Sequence, residues 1–245
     1  MAAVGTSAYD DLAAVYDWLV PEELLTPEGN VAMFDEQLSE LESRASVLDC
    51  ACGTGMLAVG MALRGFDVSA SDGSAAMVER TRRLAAEHGV GIAVAQSTWG
   101  ELENTWPSPF NAVFCVGNSL THANDRKAAL RAMHGVLGEH GLLVLTSRNW
   151  ERVRAEATRS EETVERHGIR ARVTHAWHMA DEWDAPHHMD IAVALPDATY
   201  TERLEFWPFT DDALAEDLRA AGFATRSSTY GDEADRYLVT ALRTT

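Results

Sequence analysis

The stretch Val47-Leu48-Asp49-Cys50-Ala51-Cys52-Gly53-Thr54-Gly55-Met56 sets a carboxylate, small residues and two glycines at the spacing Asp-x-x-x-Gly-x-Gly. Gly53 and Gly55 carry no Cβ to hold a ligand away from the backbone. The turn lacks the third glycine of a dinucleotide fingerprint and the Lys-Ser/Thr of a phosphate loop. A second acid, Asp72, follows Gly53 by 19 residues. An acid there, closing the next strand, can accept both hydroxyls of a ribose. The competing use is a helix N-terminal acid favoured by the helix dipole. Asp49 can position the turn or bind an ammonium, and the two uses are compatible. Further on, Gly117-Asn118 and His122 form a second group, and Arg148-Asn149 a third. Asn118 can donate to or accept from a small acceptor. His122 can serve as a general base near neutral pH, or it can orient Asn118 from a loop. Arg148 can hold a carboxylate with two parallel bonds, or it can pair with one of the chain's many acids.

These residues are useful only if the fold gathers them. Tyr9, Leu12, Ala13, Tyr16 and Leu19 recur at helical spacing, which predicts a helix over residues 8–20 with Tyr9 and Tyr16 on one face. Pro21 and Pro27 break it, and a second helix is expected from Glu28 to Glu42. Apolar runs predict strands at Ser46–Cys50, Phe66–Ser71, Ile92–Gln96, Phe110–Val116 and Leu142–Ser147. Helical segments lie between them, at Met56–Leu63, Ser74–His88 and Asp125–Leu137, with a loop and one helical turn over 97–109. Strands alternating with helices predict a parallel sheet covered on both faces. The first, fourth and fifth runs are nearly continuous in apolar residues, as doubly covered strands should be. Ligands of such sheets bind beyond the carboxyl ends of the strands. Asp49–Gly55, Asp72, Ser97-Thr98-Trp99, Gly117-Asn118 and Arg148-Asn149 all fall there.

After Arg148 the rhythm changes. A short polar helix is expected at Glu151–Thr158. Three β-like runs follow, Arg170–Met179, His188–Leu195 and Tyr200–Pro208, with no helix between them, which predicts an antiparallel insertion. Thr210-Asp211-Asp212 caps a final helix to Ala221, and strands at Ala224–Tyr230 and Arg236–Leu242 close a hairpin around 231–233.

The 245 residues suffice for one well-buried domain, and an apolar fraction of 46% with 24% charged residues is ordinary for a globular chain. A net charge of -18, from 38 acids against 20 basic residues, argues against nucleic acid and anionic membranes as partners. Lys127 is the sole lysine; a salt-rich habitat and a GC-rich genome both account for that. No basic region precedes an apolar core at the N-terminus, so no signal peptide is read, and no run approaches the ~20 residues of a membrane span. Cys50, Cys52 and Cys115 fall in expected core strands, which suits buried thiols in a reducing, cytoplasmic compartment. Cys50-x-Cys52, His175-x-x-His178 and His187-His188 are weak metal signals: no second cysteine pair exists, and strand alternation separates the histidines. No metal site is expected. Trp177, Trp183, Phe206, Trp207 and Phe209 read as core of the insertion, with an aromatic pocket as the alternative.

The run Val47–Gly55, the segment Asp72-Gly73-Ser74-Ala75-Ala76-Met77 and the fourth strand together resemble the class I S-adenosylmethionine-dependent methyltransferases. More narrowly, the stretch from Phe110 to His122, with Gly117-Asn118-Ser119-Leu120-Thr121-His122 at its end, is similar to the glycine and sarcosine N-methyltransferases. So is Ser147-Arg148-Asn149-Trp150, where that family has Arg-Asn-Tyr. The family shades into amino-sugar N-methyltransferases. The resemblance covers residues 45–150 well and the remainder in outline. It implies an α/β, Rossmann-like seven-stranded sheet with helices on both faces, its last strand antiparallel, and an antiparallel β lid after the fifth strand. All 245 residues would form one domain: a helical cap over 8–43, a cofactor core over 44–150, a lid over 165–208, and a C-terminal helix and hairpin over 209–245.

The implied cofactor is S-adenosylmethionine. Asp49, Ala51, Cys52, Gly53 and Gly55 would pack around its methionine part, Asp72 and Gly73 would meet the ribose, and Met77, Thr98 and Trp99 would border the adenine. Thr98 stands where the family has Asn, which removes one amide donor. Gly117 closes the strand-four side. Tyr16 would cover the site, where an aromatic ring beside a sulfonium is favourable. Residues 8–43 contain no Arg or Lys, so the family's basic grip on the cofactor carboxylate has no counterpart there. Backbone amides, tyrosines or a different segment structure would replace it. On the acceptor side the resemblance implies Asn118, His122, Arg148 and Tyr16, and methyl transfer to the nitrogen of a small molecule such as glycine or sarcosine. N- or O-methylation of an amino sugar or another secondary metabolite is the rival, and a non-catalytic cofactor binder is a more distant one. Homo-oligomerisation stays open.

Overall fold

The structure is a computed structural model that describes residues 9–10, 12–156, 159–231 and 233–244. Its centre is a seven-stranded sheet. The strands are β1 (Ser46–Asp49), β2 (Asp67–Asp72), β3 (Ala93–Gln96), β4 (Phe110–Cys115) and β5 (Leu137–Arg148), then β10 (Phe223–Ser228) and β11 (Arg236–Arg243). Their spatial order is β10-β11-β5-β4-β1-β2-β3. β11 runs antiparallel between β10 and β5; every other neighbouring pair is parallel.

Alternate residues of the central strands feed two separate cores. Val47, Ala112, Phe114, Leu142 and Val144 face one side, with α1 (Pro27–Ala32), α2 (Asp35–Ser39) and α3 (Met56–Leu63). Leu48, Val113, Cys115, Leu143 and Leu145 face the other, with α6 (Arg126–Val136) and α8 (Asp211–Ala220). The period-2 division of a continuously apolar strand is what places a helix layer on each face. α4 (Ala75–Glu87) follows β2 and packs beside α3, and the single turn α5 (Leu102–Thr105) precedes β4 and packs beside α6.

A second sheet follows α7 (Trp150–Glu156). Its strands β6 (Arg159–Arg166), β7 (Ile169–His178), β8 (His187–Ala194) and β9 (Thr199–Phe206) form an antiparallel meander in sequence order. The β6–β7 hairpin turns through His167-Gly168, both at positive φ (51° and 77°), which matches the right-handed twist of its strands. Val173, Ile191, Val193, Leu204 and Phe206 on this lid meet Leu12 and Val15 of the N-terminal segment and Trp150 of α7. No helix among the described residues is long and apolar enough to cross a membrane.

Several expectations need correction. The segment expected as a helix over 8–20 lies partly outside the described residues; the rest forms 3-10 turns at Leu12–Ala14 and Tyr16–Leu19, and a third such turn follows at Glu22–Leu24. Tertiary bonds set its path: Asp10 accepts from Ser74 Oγ and from the Ala76 amide at the head of α4, and Arg80 of α4 donates to Asp17 at 2.7 Å and to the Ala13 carbonyl. Pro27 opens α1 rather than breaking a helix, with Thr26 as its cap, and the expected 28–42 helix is interrupted at 33–34. The lid begins at Arg159, earlier than expected. β6 carries one apolar residue in eight, Val164, because it is an exposed edge strand. β5 begins at Leu137 and not at Leu142, directly after α6.

Candidate active site

The β1 exit turn depends on two glycines with different tasks. Gly53 has φ +51° and nothing lies within 4 Å of the place where a Cβ would be, so its backbone faces open space. Gly55 has φ +87°, and a Cβ there would meet Thr81 of α4 at 2.9 Å. Gly55 thus serves helix packing, while the backbone of Gly53 stays open. Asp72 braces the same turn: its carboxylate accepts from the Gly53 amide and from the Ser74 amide, each at 2.9 Å. Asp49 is 1% exposed and its Oδ1 accepts from the Ala51 amide at 3.4 Å. Burial, reinforced by the charge of Asp72, raises its pKa to about 7. Asp72 is also raised by burial, against the pull of its amide donors. A buried and a half-buried acid beside an open backbone turn suit a ligand that brings hydroxyls and positive charge. Ala51 is half-buried; Cys52 is buried beneath the turn, its Sγ 3.4 Å from Thr81 Oγ1. Burial raises the thiols of Cys50 and Cys52. Gly73 follows directly, its carbonyl accepting from Gln96 at 3.0 Å. Met77 is buried, and its amide donates to the N-cap Ser74 Oγ at 3.2 Å. Thr98 gives both its amide and its hydroxyl to Glu101, at 2.9 and 2.8 Å. Trp99 donates Nε1 to the Cys50 carbonyl at 3.0 Å, tying the β3 exit to the β1 exit.

At the β4 exit, Gly117 and Asn118 both adopt positive φ (74° and 72°). The Gly117 amide is held by Thr146 Oγ1 at 2.8 Å and the Asn118 amide by the Thr146 carbonyl at 3.2 Å. The Asn118 side chain is buried and occupied. Its Oδ1 accepts from the Arg148 amide at 3.0 Å, Trp150 Nε1 at 3.1 Å and Ser147 Oγ at 3.5 Å, while Nδ2 donates to Thr121 Oγ1 at 3.0 Å. Its amide therefore fixes the β5 exit and leaves its oxygen saturated.

His122 sits between the cap and the lid. Its Nδ1 is 2.8 Å from the backbone carbonyl of Glu205, and its Nε2 is 2.8 Å from Tyr9 Oη. A carbonyl can only accept, so the hydrogen is on Nδ1 and Nε2 accepts from the phenol. The ring also lies 4.7 Å from Phe206. Burial lowers its pKa to about 4, against the pull of Glu205. Tyr9 is T-shaped against both His122 and Tyr16, at 5.4 and 6.3 Å. Burial raises both phenols, and the charge of Asp72 reaches both. The N-terminal turns thus carry two tyrosines over the sheet ends.

Arg148 closes β5. Its guanidinium makes no hydrogen bond or ion pair among the described residues and lies 5.9 Å from the Trp177 ring. Burial, with the neighbouring Arg236 adding to it, lowers its pKa to about 10. It lines a cavity of about 350 Å³ with Arg236, Arg152, Asp235 and Glu156.

A methyltransferase-domain family model matches residues 47–141, the stretch from β1 into β5. Among curated proteins, the chain is 39% identical over 111 residues to a glycine/sarcosine N-methyltransferase of Parasynechococcus marenigrum, covering 44% of this chain and 39% of that protein. It is 29% identical to the glycine/sarcosine N-methyltransferase of Aphanothece halophytica, over 78% of this chain and 70% of the relative. Among solved structures, an amino pentose methyltransferase from Micromonospora echinaspora with S-adenosylmethionine bound superposes with a TM-score of 0.77. That pair covers 95% of this chain and 96% of the other at 19% identity, a likeness of fold. The chain carries a class I S-adenosylmethionine-dependent methyltransferase domain.

This methyltransferase's own residues fit that cofactor. The open face of Gly53, the braced carboxylate of Asp72 and the buried Asp49 match a ligand with ribose hydroxyls and a cationic sulfonium and ammonium. Two residues at the candidate site had no assigned part in the sequence expectations. Tyr9 shared a face with Tyr16, and that pairing was the available signal. Arg236 opens β11 directly opposite Arg148, a register that follows once the last strand is placed antiparallel beside the fifth. Among the described residues, no group of three His, Cys, Asp or Glu is placed to hold a metal ion. His178 instead joins Asp190 at 2.8 Å, which also binds Arg203. Of the insertion's aromatics, Phe206 is lid core and Trp177 and Trp183 pack on it; Phe209 belongs to the α6–α8 core. Trp207 is bonded through its amide to the Thr121 carbonyl at 2.6 Å, which ties the lid's end to the β4 exit.

Proposed function

We propose that this methyltransferase places a methyl group on the nitrogen of a small amine that also carries an acidic group, in the manner of an amino acid. Glycine and sarcosine are the first acceptors to test. The observation that carries the reading is Arg148: a half-buried guanidinium at the β5 exit, without a hydrogen bond or ion pair among the described residues, and near enough to Tyr9 for its charge to act on that phenol. Leaving such a charge unpaired is costly, and a bidentate carboxylate offsets the cost. The names of the curated relatives support the same class of acceptor.

S-adenosylmethionine, when bound, supplies an activated methyl on a sulfonium. Asp72 would accept the ribose hydroxyls, Asp49 would face the cationic end, and Met77, Thr98 and Trp99 would border the adenine. Gly53 gives the backbone its approach, while Ala51, Cys52, Gly55, Gly73 and Gly117 shape the walls. Tyr9 gives its own hydrogen to His122, so its oxygen is left to accept an N–H from the acceptor. His122 holds a proton poorly, so it orients the phenol and does not store the acceptor's proton; the amine reaches the site already neutral. Asn118 positions Arg148 through its backbone amide. Fixing amine and carboxylate at once supplies positioning, which is worth up to ~7–11 kcal/mol in well-aligned reactions.

A second reading, methylation of an amino sugar or similar metabolite, is favoured by the cavity of about 350 Å³, which exceeds what glycine needs. The test is release of S-adenosylhomocysteine with glycine, sarcosine, dimethylglycine and a panel of amines and hydroxy acids. Turnover confined to amino acids supports the first reading; silence across all of them supports the second.

A further inference from the structure

β5 ends at Arg148 and β11 begins at Arg236, and the antiparallel register sets the two directly opposite each other. Cross-strand partners on one face have Cβ atoms about 5 Å apart, and like charges so placed repel. Arg148 is half-buried and Arg236 is exposed, and Arg148 feels the charge of Arg236. Folding would ordinarily set an acid between them. Two acids do line the same cavity, but Arg152 engages both: its Nε is 3.2 Å from the Glu156 carboxylate and its Nη1 is 3.3 Å from that of Asp235. Neither Arg148 nor Arg236 forms a hydrogen bond or ion pair through its guanidinium among the described residues, in a chain with 38 acids and 20 basic residues. Tyr16 and Asp235 are near enough to Arg236 for their charges to act on it, and Tyr9 and Asp235 do the same for Arg148. An external anion that bridges the pair relieves that repulsion. One carboxylate neutralises one guanidinium; the geometry leaves a second. The cavity, about 350 Å³, stands at the small end of the ~300–1,000 Å³ typical of ligand sites.

We infer that Arg236 is a second anion-binding residue of the acceptor pocket and that, with Arg148, it selects an amine acceptor bearing a dianionic group, either a phosphate ester or a pair of carboxylates. This rests on Arg148 facing the acceptor, and it narrows the acceptor beyond glycine and sarcosine.

The test compares the full-length protein with Arg236→Ala and Arg236→Gln. Isothermal titration measures malonate and inorganic phosphate as dianions and acetate as the monoanion. Turnover is followed as S-adenosylhomocysteine release from O-phosphoethanolamine, aspartate, glycine and ethanolamine. The expected result is a dianion affinity at least ten-fold above that for acetate, lost in both variants. O-phosphoethanolamine or aspartate should exceed glycine in kcat/KM by a similar factor, and whichever is better identifies the source of the dianion. S-adenosylhomocysteine affinity and melting temperature report whether each variant is folded; if the alanine variant is not, the glutamine variant carries the comparison. An unchanged dianion-to-acetate ratio in the folded glutamine variant overturns the inference. So does competition between malonate and S-adenosylhomocysteine, which assigns the arginine pair to the cofactor carboxylate. If dianions bind through Arg236 but no amine is methylated, the anion site stands and the acceptor reading fails. If glycine turns over through Arg148 and no dianion preference exists, the reading stands and the inference fails.

Discussion

Replacing Asn118 with alanine separates a positioning role from a direct contact with the acceptor. The amide oxygen accepts from Trp150 Nε1 at 3.1 Å and from the Arg148 amide at 3.0 Å. Trp150 is 1% exposed, so its N–H cannot turn to water when that acceptor is removed. Each buried donor left unsatisfied costs about 1–3 kcal/mol. The backbone at Asn118 has φ +72°, which alanine tolerates less well by about 1 kcal/mol. Asn118→Ala is therefore expected to lose roughly 3–5 kcal/mol, a large share of the ~5–15 kcal/mol of a typical domain. Asn118→Gly relieves the backbone part and should be about 1 kcal/mol better. Asn118→Asp keeps the acceptor oxygens and should be the most stable of the three, while setting a carboxylate beside Arg148. Urea unfolding with unchanged slope, together with kcat and KM, reads all of this. An alanine variant as stable as the wild type with turnover abolished would refute the reasoning, because the amide would then be acting on the acceptor and not on the β5 exit.

The two turn glycines should respond differently to alanine. Gly55→Ala combines positive φ with a 2.9 Å approach to Thr81, so thermal unfolding should show a loss of about 2–4 kcal/mol. Gly53→Ala meets open space; its fold should lose about 1 kcal/mol, and its main effect should be weaker S-adenosylhomocysteine binding in a titration. Asp49 has a folded pKa near 7, above its unfolded value, so its contribution is full at low pH and fades as pH rises from about 4 through 7. Asp49→Asn should flatten the fall in stability across that window, with an upper bound on the order of 4 kcal/mol, seen in unfolding at pH 5 and pH 8; an unchanged slope counts against a protonated Asp49. His122, lowered to about 4, should stay neutral across the working range. NMR titration of its ring should show no inflection between pH 5.5 and 7.5, and stability linked to it should decline only as pH falls from about 6.5 toward 4.

Much of the fold was readable because its signals are local. The apolar runs at 47–50, 110–116 and 142–147 are continuous since both faces of those strands are covered, and the Asp-x-x-x-Gly-x-Gly turn and Asp72 announce the β1 and β2 exits. The misses have physical causes. β6 is an edge strand whose exposed residues leave it no apolar pattern to read. The cap is set by Asp10 and Asp17 reaching α4 and not by its own helical period. Gly55 looks like a ligand-facing glycine until Thr81, 26 residues away, is seen against it. Asn118 was read as a ligand contact, yet its oxygen is consumed by donors from Ser147, Arg148 and Trp150. Periodicity does not report such long-range pairings; strand register does, and it is register that brings Arg236 to Arg148.

The central claim is that Arg148 holds the acidic group of an amine acceptor. It is tested most directly by kcat/KM for S-adenosylhomocysteine release in wild type, Arg148→Ala and Arg148→Lys, with acceptors paired by amine and differing only in the acidic group. Removing one partner of a buried charge pair costs about 2–5 kcal/mol, so Arg148→Ala should lose roughly 30-fold or more on acidic acceptors, with little change on their uncharged counterparts. Lysine should recover part of the loss, because it supplies the charge without the fork. Equal losses on both members of each pair, or no loss on the acidic ones, would contradict the account.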